Sequence, residues 1–457
     1  MKSKVEECSG SKVAFTILLP ISAFAFLSGT FPTDTALLHY MEQSMHMALD
    51  SANAALSIKA YSAICFIPVV VILILAYGAR FVMFSGALAQ LFCAVMWMQA
   101  LSIALTQFSC VLAGYCSATW IACCCYGKHL LPNESYVLYY ICVGGAFVLG
   151  QFAATAVDAL THASTIDLSM PFVLSAASGA LAAFVCLVWV PNRKDEYASQ
   201  GSVFQEVNGP WSWSLRTCRY WRHARSTYLV PFKNSPLRFL TIWFTLEFAV
   251  FLSVEATTAD FLAGSANGSD SSFGSTLKVC VLAASVARGS MMLAIAIVLR
   301  PTMFANGTEL LLGVIALLTP PLLLALHFFR EQDSVVHVCY MAFVVCSSLQ
   351  MAAGFVNISA ELPFEANVVV LGAVTLLASL LKMMFISIGL SITLYSGLWF
   401  GYSAHFCFVA VVCHGVVLMN VSPLVIIPPA PIVLDDVWNP VAHFARAEGS
   451  PTSNCVV

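Results

Sequence analysis

Long apolar stretches alternate with short polar ones along almost the whole chain, and their length sets the reading. A helix needs about 20 predominantly apolar residues to cross the hydrocarbon core of a bilayer. Windows of that kind lie at 13–31, 61–79, 82–103, 105–126, 136–157 and 171–190, and again at 239–261, 276–299, 308–328, 335–356, 367–390 and 395–420. The pattern predicts an all-α polytopic membrane protein with twelve transmembrane helices. The first window follows Lys2, Lys4 and Lys12 and ends near the small residues Ser28 and Gly29, a layout that a secretory signal peptide shares. It is read as a retained helix.

The polar stretches divide the chain into an N-terminal six-helix half at 1–190, a basic linker at 191–238, a C-terminal six-helix half at 239–420 and a tail at 421–457. The tail opens on Pro428-Pro429-Ala430-Pro431 and ends in polar residues, for which poor order is expected. Two six-helix halves joined by a hydrophilic linker form the major facilitator layout. In that architecture the substrate site lies near the membrane midplane between the halves. An analogy of fold names no substrate.

Composition agrees: 60% of residues are hydrophobic, 9% are charged, and mean hydropathy is +0.86. A soluble chain of this length needs far more polar surface to cover its core. A net charge of -3, with 20 Lys and Arg spread along the chain, makes no cationic arm for a phosphate backbone. Nucleic acid is therefore excluded as a partner, and membrane lipid is implied as one. Of the 17 cysteines nearly all, Cys65, Cys93, Cys142, Cys186, Cys346 and Cys407 among them, lie inside apolar runs. They read as core residues and not as a disulfide framework.

With the amino terminus in the cytoplasm, Lys2, Lys4, Lys12, Arg80, Lys128, the linker cations, Arg300 and Arg446 fall inside, whereas Lys59, Lys278 and Arg330 fall outside. The positive-inside rule favours this orientation, with both termini cytoplasmic. Asn267-Gly268-Ser269 then lies in an outer loop, while Asn133-Glu134-Ser135 and Asn306-Gly307-Thr308 face the cytosol. Asn267 is the sequon of these three expected to be glycosylated. The linker interleaves its cations with Trp211, Trp213, Tyr220 and Trp221. It suits either the anionic inner leaflet or a solvated connection.

An ionised side chain at the centre of a spanning helix costs roughly 2.5–3.5 kcal/mol on insertion scales, so such groups usually face a cavity or a partner. The candidates are Asp34 just past helix 1, Glu247 and Glu255 in helix 7, Arg288 in helix 8 and Lys382 in helix 11. Asp158 and Asp260 sit near outer ends and are read as hydrated. Glu247 and Arg288 lie at similar depth, as an ion pair between neighbouring helices or as part of the substrate path. Glu255 is left open between a protonated group, a cavity-facing one and a substrate contact.

The run Phe31-Pro32-Thr33-Asp34-Thr35-Ala36-Leu37-Leu38-His39-Tyr40-Met41 resembles the end of helix 1 in the reduced folate carrier and thiamine transporter family, with its Arg-Pro-x-acid motif followed by Leu and Tyr. Val148-Leu149-Gly150-Gln151 is similar to the family's helix 5, and Trp189-Val190-Pro191-Asn192-Arg193-Lys194 to its exit from helix 6. Ser235-Pro236-Leu237-Arg238 with Trp243 resembles the start of its helix 7. Residues 338–344 and 371–382 resemble its helices 10 and 11.

The resemblance implies a vitamin transporter without a cofactor, in the plasma membrane, working by alternating access and coupled to a proton or an exchanged anion. It places Asp34 where the family has a Glu that contacts the substrate's heterocycle. Tyr40 is the motif tyrosine. Lys382 stands where folate carriers have a Lys facing the bound anion and thiamine transporters a Gln. Other positions depart from the pattern: Leu112 replaces an Arg or Glu, Ser347 an Arg, and Phe31 the motif's Arg. Arg288 is a candidate substitute cation. A folate-like anion is expected ahead of thiamine or another organic ion, with Asp34, Tyr40, Lys382, Glu255 and Arg288 as substrate residues.

His162 and Asp167 make a formal acyltransferase-like His-x4-Asp, but no glycine-rich or basic phosphate-binding segment accompanies it. A receptor or scaffold would make the basic linker its working part. His405 and His414, nine apart, do not share a helical turn and suit packing better than a metal pair. Cys123, Cys124 and Cys125 suit interfacial packing ahead of palmitoylation.

Overall fold

The computed structural model describes residues 18–32, 34–99, 102–130, 133–163, 169–190, 235–264, 318–325, 328–329, 333–360, 362 and 364–396. These residues fold into α1 (Leu18–Gly29), α2 (Asp34–Gln43), α3 (Leu49–Tyr77), α4 (Ala79–Met98), α5 (Ile103–Ala118), α6 (Trp120–Leu130), α7 (Asn133–Ala163) and α8 (Met170–Val188). After the linker come α9 (Ser235–Gly264), a helical segment at 318–325, α10 (Asp333–Ala360) and α11 (Phe364–Ser396). Among the described residues, seven helices are long and apolar enough to cross a membrane, and Leu18–Gly29 and Leu240–Val254 are shorter apolar helices. The windows expected at 276–299 and 395–420 lie outside the described residues, except for the end of α11.

Two boundaries differ from the sequence reading in ways that matter. The second span does not begin at 61: α3 starts at Leu49 and runs for 29 residues. The added turns are rich in Ala and Ser, too polar for a hydropathy window, yet Ala52 and Ala55 are fully buried and hold them in place. Lys59 is thereby helical and does not belong to an outer loop. The nearly fused third and fourth windows are two helices, because α4 stops at Met98 and Ser102 starts the next, accepting a bond from the Leu105 N–H at 3.3 Å. Between α3 and α4 a single residue, Gly78 at φ 88°, makes the turn, in a region of φ that side chains with a Cβ rarely adopt.

Small residues set the closest helix crossings. A Cβ on Gly29 would overlap the Phe147 carbonyl, and one on Gly150 would overlap the Phe26 carbonyl, so α1 and α7 meet backbone to backbone. Gly179 lets α8 approach Leu91 of α4 in the same way. Around this bundle large apolar side chains point outward, including Phe81, Phe92, Leu181, Phe184 and Leu187. Such a surface is at ease only in lipid. The protein is a multi-pass membrane protein.

The core is unequal along the bundle axis. At the end where α8 leaves for the linker, one continuous cluster joins both halves, from Ile74, Val82, Cys124, Tyr140 and Cys186 to Phe244, Phe355, Ile358 and Val370. Tyr140 of α7 stacks on Phe355 of α10 at 5.1 Å, and Phe244 of α9 meets Phe355 edge-on at 4.8 Å. A Cβ on Gly372 of α11 would press on the Val71 side chain of α3. At the opposite end the described residues form two clusters, one in each half. Leu37, Met41, Trp97, Cys110 and Phe172 make one, and Val250, Phe251, Phe343, Val344 and Phe385 the other. Among the described residues the halves thus share a core at the linker end and form separate clusters at the end where α2 begins.

Two further readings are settled by burial. Asp158, expected to be hydrated at an outer end, is only 4% exposed, because α7 continues past it to Ala163 and keeps it inside the bundle. Cys123, Cys124 and Cys125 are all buried in the linker-end core, where an acyl chain could not be attached without unpacking it.

Candidate substrate site

The site is built where α1 ends. Thr30 turns the chain by donating from its hydroxyl to the Leu27 carbonyl at 2.7 Å, Phe31 and Pro32 follow, and α2 starts with Asp34 in its first turn. A carboxylate there is favoured by the unpaired N–H groups of the helix start. The Asp34 carboxylate pairs with the ammonium of Lys59, which reaches over from α3. The same ammonium lies 5.2 Å from the centre of the Phe31 ring, a cation–π contact.

Beneath the pair lies an aromatic floor. Phe31 meets Trp97 edge-on at 5.5 Å, Trp97 meets Phe172 at 5.7 Å, and Tyr40 leans on Phe172 at 4.6 Å. Tyr40 therefore joins the site's framework through this ring contact.

Lys59 and Asp34 differ sharply in exposure, at 16% and 65% of their side chains. Desolvation by the surrounding protein works against the Asp34 charge. Lys59 outweighs that desolvation and holds the Asp34 carboxyl below the usual carboxylate range, and Lys382 adds in the same direction. Lys382 belongs to α11 in the other half. The structure therefore brings one acid and two cations from both halves to the end where the cores are separate.

Phe31 carries the Lys59 ammonium over its ring. Leu112 packs against the cluster of Trp97 and Cys110, and Ser347 is buried within α10. Lys59 was missed as a site residue because it lies outside every apolar window and counted only as an outer cation. Its spacing of 25 residues from Asp34 gives no local signal.

Of the remaining candidates, Glu247 is 5% exposed on α9 with Trp243 one turn earlier against it. Glu255 lies on the same helix, and its side chain is outside the described residues. Arg288, Asn267, His405, His414 and Asp167 also lie outside them, as does the linker from 191 to 234. Among the described residues no group of three or more His, Cys, Asp or Glu could hold a metal ion.

No family model matches the sequence, and no curated protein is similar to it. Solved structures are similar in fold. The crystal structure of the human organic anion transporter MFSD10 (TETRAN) superposes with a TM-score of 0.61 at 14% identity, over 88% of this chain and 97% of that one. The major facilitator superfamily proton:xylose symporter XylE, bound to 6-bromo-6-deoxy-D-glucose, superposes with a TM-score of 0.65 at 13% identity, over 90% and 96%. The chain has the all-α fold of these major facilitator proteins.

Proposed function

We propose that this protein is a solute transporter that carries a folate-like organic anion by alternating access. The observation that carries the reading is the pairing of Asp34 with Lys59, with Lys382 of the other half in electrostatic reach, where the halves keep separate cores. A fold of this kind places its solute between the halves and rocks them about it. The linker end is closed, so the site communicates with the opposite side. By the distribution of cations that side is outside, with both termini in the cytoplasm and the plasma membrane as the home membrane.

Two cations against one acid in this group of three favour an anion over cationic thiamine, which remains the second reading, supported by the same helix 1 motif. The neighbours named as an organic anion transporter and a proton:xylose symporter support transport of a small solute. A coupling proton or an exchanged anion completes the cycle. Glu255 and Arg288 stay in the proposed site by position alone, and Asn267 is the proposed glycosylation site.

A competition panel tests the substrate. Cells expressing the protein should accumulate labelled folic acid above untransfected controls, and unlabelled folates should suppress that uptake while thiamine and thiamine phosphates do not. Suppression by thiamine with no effect of folates would replace the first reading by the second.

A further inference from the structure

We propose that Glu247 is the coupling group of the transport cycle: it takes up a proton from the side where α2 begins and releases it at the linker end, so that one proton travels with each solute. The inference rests on the transport reading above and names its coupling ion.

The position of Glu247 follows from the way α9 meets α10. A Cβ on Gly354 of α10 would overlap the Phe244 ring, so the two helices cross there. They run antiparallel: Trp243 and Phe244 share the linker-end core with Phe355 and Ile358, whereas Val250 and Phe251 share the other cluster with Phe343 and Val344. One turn beyond the crossing lie Glu247 on α9 and Gln350 on α10, on the faces turned toward each other, because residues three or four apart lie on one side of a helix. Glu247 is buried near the middle of the 30-residue α9.

A carboxyl at that depth must have its charge met, either by a proton or by protein groups. The surroundings provide for the second case. Thr319 donates to the side-chain oxygen of Gln350 at 3.5 Å, which turns the amide N–H groups of Gln350 elsewhere, and these have no acceptor. The buried indole N–H of Trp243 lies beside the carboxyl and also closes no hydrogen bond. Two donors that can swing onto a carboxylate are thus in place.

The linker-end contact decides which side the carboxyl meets. Phe244 and Phe355, one turn below Glu247, belong to the core that joins the halves there. While they are packed, linker-side water is kept from the carboxyl. When the halves part, the carboxylic acid gives its proton to that water, and the Gln350 and Trp243 N–H groups turn onto the charge left behind. Among the described side chains, the other titratable or charged groups on the helices packed against α9 are Cys339, Tyr340 and Cys346 of α10 and Lys382 of α11, with Tyr140 and Cys142 of α7 across the contact and Arg238 at the start of α9 itself. Lys382, the cation of α11, acts at the Asp34 end.

Purified protein in liposomes with a trapped pH-sensitive dye measures both steps, the membrane potential being clamped at zero with potassium and valinomycin. At equal pH, exchange of labelled for unlabelled folic acid reports the solute site alone. Under an inward proton gradient of one pH unit, one proton per solute supports about tenfold accumulation, and folic acid added outside should acidify the interior. Glu247→Gln, which imitates the protonated form, should abolish acidification and bring accumulation down to equilibrium while exchange continues. Gln350→Leu, which removes a donor to the ionised form, should move the pH profile of uptake upward by about one unit. Size-exclusion profiles establish that each variant is folded; should Glu247→Gln not be, the unmodified and Gln350→Leu proteins still decide. Exchange without acidification in the unmodified protein overturns proton coupling and leaves the solute reading standing. Coupling that persists in Glu247→Gln, loss of exchange along with coupling in that variant, or an unshifted profile in Gln350→Leu overturns the role of Glu247. No exchange in the unmodified protein overturns the folate reading on which the inference rests.

Discussion

Lys382→Gln is expected to reduce uptake of a folate by about thirtyfold or more at matched surface expression, while Lys382→Arg retains most of it. Truncating one partner of a desolvated charge pair typically costs about 2–5 kcal/mol, and each 1.4 kcal/mol is a factor of about ten. Lys382 is half-buried on α11, and its charge favours the ionised form of Asp34. In the proposed site Lys382 is the residue that meets an anionic solute from the C-terminal half. The neutral variant should also weaken the exclusion of thiamine, because a repelling charge is gone. Equal loss in the Gln and Arg variants would mean that Lys382 holds the helices together and does not read charge. Efficient thiamine transport by the unmodified protein, with folates neither carried nor competing, would show the charge reading to be wrong.

Gly372→Leu should hold the linker end open. Gly372 brings α11 against Val71 of α3, and a larger side chain there has no room while the halves are closed. Overpacking of this kind costs about 1–3 kcal/mol. Here the halves can relieve it by parting, which turns the cost into a population shift of about tenfold or more toward the open linker end. A cysteine placed at Tyr140, inside the Tyr140–Phe355 seal, should then react faster with a thiol reagent from the linker side. Uptake should fall because the opposite-facing state is depopulated. An unchanged labelling rate, with the protein still folded, would place the seal elsewhere.

Hydropathy made the spans legible because lipid demands long apolar runs, and the described parts of the windows are largely helical. It failed at the first turns of α3, where alanines at 52 and 55 pack well without raising the average. That failure hid Lys59. The motif around Asp34 could be found from local sequence, as could the unusual cation at 382. Their meeting could not, since residues 34, 59 and 382 come together only through the crossing of three helices from two halves. Gly150 shows the opposite case: its place in a short motif was evident, and the reason for it, the carbonyl of Phe26, needed the structure. Asp158 was misjudged because sequence gives the depth of a residue along a helix and not the face on which it lies.

The central claim is that the two halves expose one site to alternate sides of the membrane. It is tested most directly by thiol accessibility of two single cysteines in a cysteine-reduced background, at Leu38 on α2 and at Tyr140 in the linker-end seal. Without substrate, the account predicts rapid labelling of the cysteine at 38 from the side opposite the linker and protection of the one at 140 from the linker side. Added folate should protect the first and expose the second, in reciprocal proportion. Labelling of both positions from one side only, under every condition, would contradict alternating access in this protein.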